Sequence, residues 1–381
     1  MKEDKETYNF LDSFKTEKLF LTVAGFYPCK NLKYIRILVI SSAIFNLSIA
    51  WLQFLALLTF MFFSLPDISK VSEILLFCTT QFAFLIKLTN FILNKNSLLQ
   101  LEVTLQNKLF TLVTADEKPI LTRYLRDGKF IAKVYRLLCF LVVVFYAIFP
   151  FMDSQSENKH KLPLPAWFPF NPDDHYYLVF CGEILSIALG AWINSNIDIL
   201  TIMMIILATA LFEVLKQRLR NILKPADKVE IVQDGLVNER LKVCVFQYDY
   251  LLRFVSQIEA TFSKGIFIQF FCSVVVICLT GFQMLVISFK SMQFVLLIIY
   301  FSCMMCQIAM YCWYGQMIAE SSDEITQACY FVEWNVCNVN VQKTLIVIME
   351  RAKRPAVLRA GGFFVLSIPT LMTASNIQSY K

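Results

Sequence analysis

"YYLVFCGEILSIALGAWINSNIDILTIMMIILATALFEVLKQRLR", residues 176–220, is largely apolar from Tyr176 to Phe212, where Glu183 and Asp198 are the only charges, and then turns polar at Glu213, Lys216, Arg218 and Arg220. As a helix its first 37 residues measure about 55 Å, against a bilayer hydrocarbon core of about 30 Å. One end must leave the membrane, and the closing charges mark which end. The chain therefore reads as a membrane protein whose helices continue into water.

Composition agrees. Of 381 residues, 57% are hydrophobic and 17% charged, with mean hydropathy +0.58 and 36 Phe. Soluble domains carry roughly 25% charge. The net charge of +6 is dispersed along the chain, which gives no basic face for nucleic acid. Of the twelve Cys, Cys78, Cys139, Cys272, Cys278, Cys303, Cys306 and Cys312 lie in apolar runs, where Cys behaves as a small hydrophobe. Cys303-Met-Met-Cys306 has no second pair or His nearby, so no metal or cofactor is expected. The first 36 residues lack the apolar core of a cleavable signal.

Six further runs reach spanning length, near 37–63, 73–94, 130–151, 266–289, 293–314 and 356–380, making seven in all. Segments 1–36, 94–136, 216–264 and 343–359 hold 7, 8, 9 and 5 Lys and Arg, while the alternate loops 64–72, 151–176 and 288–292 hold 1, 2 and 1. The positive-inside rule then places the N-terminus in the cytoplasm and, with seven spans, the C-terminus outside. This is the reverse of a G-protein-coupled receptor. The fold class expected is an all-α membrane protein with a cytoplasmic helical bundle. Residues 98–113 and 328–352 supply that bundle as amphipathic helices, the first through Leu98, Leu101, Leu105, Leu109 and Leu112, the second through Phe331, Trp334, Val341, Leu345 and Ile348. Tyr311, Trp313 and Tyr314 end the sixth span as an interfacial belt, and Gly315 opens the way into the bundle.

"YCWYGQMIAESSDEITQACYFVEW" (311–334) and "MERAKRPAVLRAGGFFVLSIPTLM" (349–372) resemble the C-terminal part of insect odorant receptors. "WFPFN" (167–171), "LIKLTNFILNKNSLLQLE" (85–102) and "LFEVLKQRLRNI" (211–222) are weaker matches in the right order. The resemblance implies a ligand-gated cation channel subunit at the plasma membrane of a sensory dendrite, in a heterotetramer with the odorant co-receptor. It divides the chain into residues 1–320, six spans with an odorant pocket in their outer half, a 321–354 anchor that meets other subunits, and a 355–381 pore helix. Gustatory receptors share this architecture, but their Thr-Tyr signature is absent here. Family members usually continue past the Ser-Tyr matched by Ser379-Tyr380, whereas this sequence ends at Lys381.

With that division, Thr370, Thr373, Ile377 and Tyr380 share one face of the last span beside Asn376, a polar path without acid. The anchor contacts expected are Tyr311, Trp313, Tyr314, Trp334 and Leu345. The outer halves offer pocket stripes for a small volatile, aromatic or apolar: Leu75, Cys78, Thr79 and Phe82; Val142, Phe145, Tyr146 and Phe149; Tyr177, Cys181, Ile184 and Ala188; and Thr280 with Met284. Lys87 is expected to snorkel, Asp198 to sit near the cytoplasmic boundary and Glu183 to be interfacial. No nucleophile–base pair, metal-ligand cluster or phosphate loop is seen, which argues against an enzyme. A transporter would favour internal repeats, and none is seen.

Overall fold

The computed structural model describes residues 6–28, 33–64, 68–152, 162–223, 234–289 and 291–369, and within them the chain is almost entirely helical. A short α1 (Lys15–Val23) precedes two apolar helices, α2 (Lys33–Phe63) and α3 (Ile68–Leu93). Two small helices, α4 (Lys95–Leu105) and α5 (Lys108–Thr111), lead to α6 (Lys118–Met152). Then come α7 (Tyr176–Arg220), α8 (Asp234–Val286) and α9 (Met292–Asp323), followed by α10 (Ile325–Tyr330) and α11 (Val339–Ala352). Two ribbons complete it: β1 (Glu6–Thr7) with β2 (Leu112–Val113), and β3 (Arg359–Ala360) with β4 (Phe364–Val365), both antiparallel.

Among the described residues six helices are long and apolar enough to cross a membrane: α2, α3, α6, α7, α8 and α9. They are not equivalent. In the most apolar eighteen residues of α7, 94% are buried, against 11% for α2. A helix that is hydrophobic all round belongs in the interior, and α7 is the central post, with α3, α6, α8 and α9 against it. At 45 residues it is about 67 Å long, and its polar end projects as the sequence requires.

The projecting ends pack into a second helical layer, held by ion pairs. Arg218 grips Glu117 through two bonds of 2.7 and 2.8 Å and donates to Gln247 and to the Leu112 carbonyl. Burial pushes the Glu117 carboxyl up, but the hydrogen bonds and charge of Arg218, with the Thr114 N–H, outweigh it and hold the group below its ordinary value. Lys216 bridges Glu213, at 2.6 Å, and Glu324.

Several local expectations are corrected. Residues 98–113 are not one helix: the chain breaks at Gln106 and Asn107, where the Asn107 side chain caps α5 by accepting from Leu109 N–H at 3.0 Å. The 328–352 helix is also interrupted, because Asn338 caps a new helix by accepting from Val341 N–H. Val341, Leu345 and Ile348 are buried as its stripe requires, while Phe331 is exposed and Trp334 half-buried before it. Gly315 does not end a helix, since α9 runs on to Asp323. It sits where a Cβ would come within 2.5 Å of the Leu366 backbone oxygen, so a glycine permits the close approach of α9 to that segment. Residues 356–366 do not begin a helix either. They form the β3–β4 hairpin, turned at Gly361 and Gly362 with φ of 62° and 78°, and tied to α8 by Ser263, whose hydroxyl donates to the Arg359 carbonyl at 2.6 Å.

Candidate functional site

Between α2, α3, α6, α7 and α9 lies a cavity of about 140 Å³, open on one side. Each helix gives it one stripe at helical spacing. Tyr135, Cys139, Val142 and Tyr146 come from α6, and Tyr300, Cys303, Met304 and Gln307 from α9. Phe77, Thr80, Gln81 and Phe84 come from α3, and Gln53 and Leu57 from α2. The α7 face is made of small or polar residues, Ser186, Gly190, Ala191 and Asn194, beside Ile187. This leaves room next to a helix that is packed almost solid from Ile193 onward. Leu164, from the segment before α7, closes one side.

The wall is mostly apolar, and its polar groups are occupied except for the buried Tyr146 hydroxyl and Asn194 side-chain oxygen, which have no hydrogen-bond partner among the described residues. Ser186 donates to Gln53 at 2.6 Å, Gln81 to the Ala50 carbonyl, and Thr80 to the Leu76 carbonyl while touching the Tyr300 hydroxyl at 2.5 Å. The Sγ atoms of Cys139 and Cys303 lie 3.7 Å apart.

The end of the cavity at Tyr135 and Gln307 rests on Asp198. This carboxylate accepts from Lys87 at 2.7 Å, Tyr311 at 2.7 Å, Gln307 at 2.5 Å and Tyr135 at 3.2 Å. The side chains of Lys87 and Asp198 are 4% and 0% exposed, so the expected snorkelling lysine is corrected to one half of a buried ion pair that joins α3 to α7. Glu183 does not face outward. It is buried, and one of its oxygens accepts the Leu164 N–H at 3.2 Å.

Of the sequence-derived pocket residues, Val142 and Tyr146 line the cavity. Phe145 and Phe149 pack beside that stripe into the core. On α3 the expected face is turned away: Phe82 is exposed, Cys78 packs with Leu57 and Ile74, and Leu75 and Thr79 are half-buried. On α7, Tyr177 and Cys181 are exposed and Ile184 and Ala188 half-buried off the lining. Thr280 is buried but donates to its own helix at Val276, and neither it nor Met284 reaches the wall. The faces of α2 and α9 were missed. The cluster Gln53, Gln81 and Gln307, polar residues within apolar runs, was the available signal.

The expected pore residues Thr370, Thr373, Asn376, Ile377 and Tyr380 lie outside the described residues. Among the anchor residues, Tyr311, Tyr314 and Leu345 are buried within this chain, Trp334 is half-buried and Trp313 is exposed. The expected aromatic belt at 311–314 is thus corrected to one outward ring and two inward ones.

The family model described as 7tm Odorant receptor matches residues 67–377. Odorant receptor 22b of Drosophila melanogaster is 24% identical over 259 residues, which cover 68% of this chain and 62% of that protein. Odorant receptor 94a is 23% identical, covering 58% and 57%. Odorant receptor Or1 of Anopheles gambiae is 21% identical, covering 95% and 92%. The chain spans about six-tenths of the length of the first two. The solved insect olfactory receptor OR5 from Machilis hrabei matches with a TM-score of 0.83 at 15% identity, covering 96% of this chain and 95% of that one. Its complex with eugenol gives the same TM-score. Matched over most of its length and built of spanning helices in that fold, this multi-pass membrane chain belongs to the insect odorant receptor family, a family of receptors and not of enzymes.

Proposed function

We propose that this chain is the odorant-binding subunit of a ligand-gated, weakly selective cation channel, assembled with the family's co-receptor at the plasma membrane. The observation that carries the reading is the cavity: an apolar hollow, open on one side, between the spanning helices, with a few polar groups to orient a guest. That a relative of this fold is solved with eugenol supports a small aromatic or apolar volatile as the occupant. The Lys and Arg distribution supports a cytoplasmic N-terminus. In this reading residues 1–320 hold the pocket, 321–354 the subunit anchor and 355–381 the pore segment, with Thr370, Thr373, Asn376, Ile377 and Tyr380 along the ion path.

Gly190 provides the test. It lines the cavity, and a Cβ added there meets nothing within 4 Å. Gly190→Leu therefore fills the cavity without moving backbone, and replacing a helical glycine adds about 0.8–1 kcal/mol of helix propensity. In cells co-expressing the co-receptor, the variant is expected to reach the surface normally and to lose or weaken its responses to a volatile panel. Unchanged dose–response curves for every active volatile place the ligand elsewhere.

A further inference from the structure

Tyr146 is only 4% exposed and lines the cavity, yet among the described residues its hydroxyl has no hydrogen-bond partner. Buried tyrosine hydroxyls ordinarily find one. Its aromatic neighbour Phe77 meets it edge-on, with ring centroids 5.8 Å apart, and offers no acceptor. The nearby hydroxyl pair is already committed. Thr80 gives its single proton to the Leu76 carbonyl at 2.9 Å, so in the 2.5 Å contact between Thr80 and Tyr300 it is Tyr300 that donates. Ser186 likewise donates to Gln53. Among these hydroxyls, the Tyr146 proton alone is left without an acceptor.

We propose that the Tyr146 hydroxyl is the specificity-determining donor of the cavity, selecting volatiles that carry an acceptor oxygen over hydrocarbons of the same shape. The inference rests on the cavity being the ligand site. The class it names is ketones, aldehydes, esters and ethers: an apolar body for the wall, and one oxygen that accepts without needing to donate. A hydrocarbon in the same place leaves a buried donor unsatisfied. An oxygen acceptor relieves that penalty, which corresponds to about 5- to 150-fold in half-maximal dose.

The test uses matched pairs on cells co-expressing the co-receptor: methyl alkyl ketones of increasing chain length, each with the alkene in which a methylene replaces the carbonyl oxygen. The wild type is expected to prefer the ketone of an active pair by about 5- to 150-fold. Tyr146→Phe removes one oxygen and keeps the ring. It is expected to abolish that preference by weakening the ketone, with the alkene unchanged or improved and surface level maintained. A receptor that answers alkenes as well as ketones, or answers neither, overturns the proposal, as does a preference that survives Tyr146→Phe. Gly190→Leu separates the two failures. If it silences both members of a pair while Tyr146→Phe leaves the preference intact, the cavity is the ligand site and Tyr146 is not its selector. If ketone responses survive Gly190→Leu unchanged, the cavity reading itself falls.

Discussion

Lys87→Met removes an ammonium group from a place water does not reach. The side chain keeps its length, but Asp198, fully buried, loses its charged partner and, among the described residues, retains Tyr135, Gln307 and Tyr311 as donors. Breaking a buried pair by deleting one member costs about 3–5 kcal/mol, because a charge is left uncompensated. At about 2 °C per kcal/mol for a large chain, the thermal midpoint in detergent should fall by roughly 6–10 °C. Adding Asp198→Asn deletes the stranded charge while leaving a carbonyl oxygen for the remaining donors. The double variant should therefore be more stable than Lys87→Met alone, recovering about 2–3 kcal/mol. Fluorescence-detected size exclusion after a heat challenge measures both. A Lys87→Met midpoint within 1–2 °C of wild type (roughly the 1 kcal/mol of a surface change), or a double variant that falls by the sum of its singles, refutes the buried pair. It would restore the snorkelling lysine of the sequence reading.

Further predictions concern other parts of the chain. Because Glu117 is held below its ordinary value, its grip on Arg218 contributes stability that is present above the unfolded carboxylate pKa and is lost as pH falls through the lower folded value. Glu117→Gln should be less stable than wild type at pH 7 (a neutral setting well above the carboxylate range of about 4), and the two thermal curves should converge in acid; parallel curves count against the linkage. Gly315→Ala should destabilise by about 1–3 kcal/mol through overpacking on Leu366. Gly281→Ala, where a Cβ meets nothing within 4 Å, should stabilise by about 0.8–1 kcal/mol, and equal midpoints for the two would contradict the close approach. Trp334→Ala should lower co-receptor assembly in pull-down more than it alters odorant preference. A tag at Met1 should need permeabilisation to be labelled, whereas one within loop 154–162 should not; the opposite pattern reverses the topology.

Six of the seven expected spans were legible because length and apolarity alone define a bilayer-crossing helix, and the overlong 176–212 run pointed correctly to α7 and the layer beyond it. Rotational phase was not. Helices such as α3 and α9 are apolar on most sides, so within Leu75–Phe84 only the polar Thr80 and Gln81 distinguish the cavity face from the lipid face at Phe82. On α6 the phase came out nearly right, since the charged residues at 126–136 fix the outer face of that helix. Pairings between distant residues were equally hidden. Lys87 and Asp198 stand 111 positions apart, and each taken alone reads as a tolerated boundary charge. The hairpin at 359–365 hid inside an apolar stretch, although Gly361-Gly362 marked the turn that stops a helix from starting there.

Gly315 has a mechanical meaning as well as a steric one. Tyr300, Cys303, Met304 and Gln307 form one wall of the cavity on α9, and Gly315 follows two turns beyond Gln307, about 12 Å along the same rigid rod. There the helix meets Leu366 with no side chain of its own in between. Side chains are compliant and can change rotamer to absorb a shift, but main chain against a neighbouring main chain has almost no play. An ångström of sliding or a few degrees of roll in α9 is therefore delivered undiminished to the strand–turn segment that ends at Leu366, just ahead of Ser367. A bulkier residue at 315 works like a shim in a bearing, holding the two surfaces apart and fixing them in one relative position.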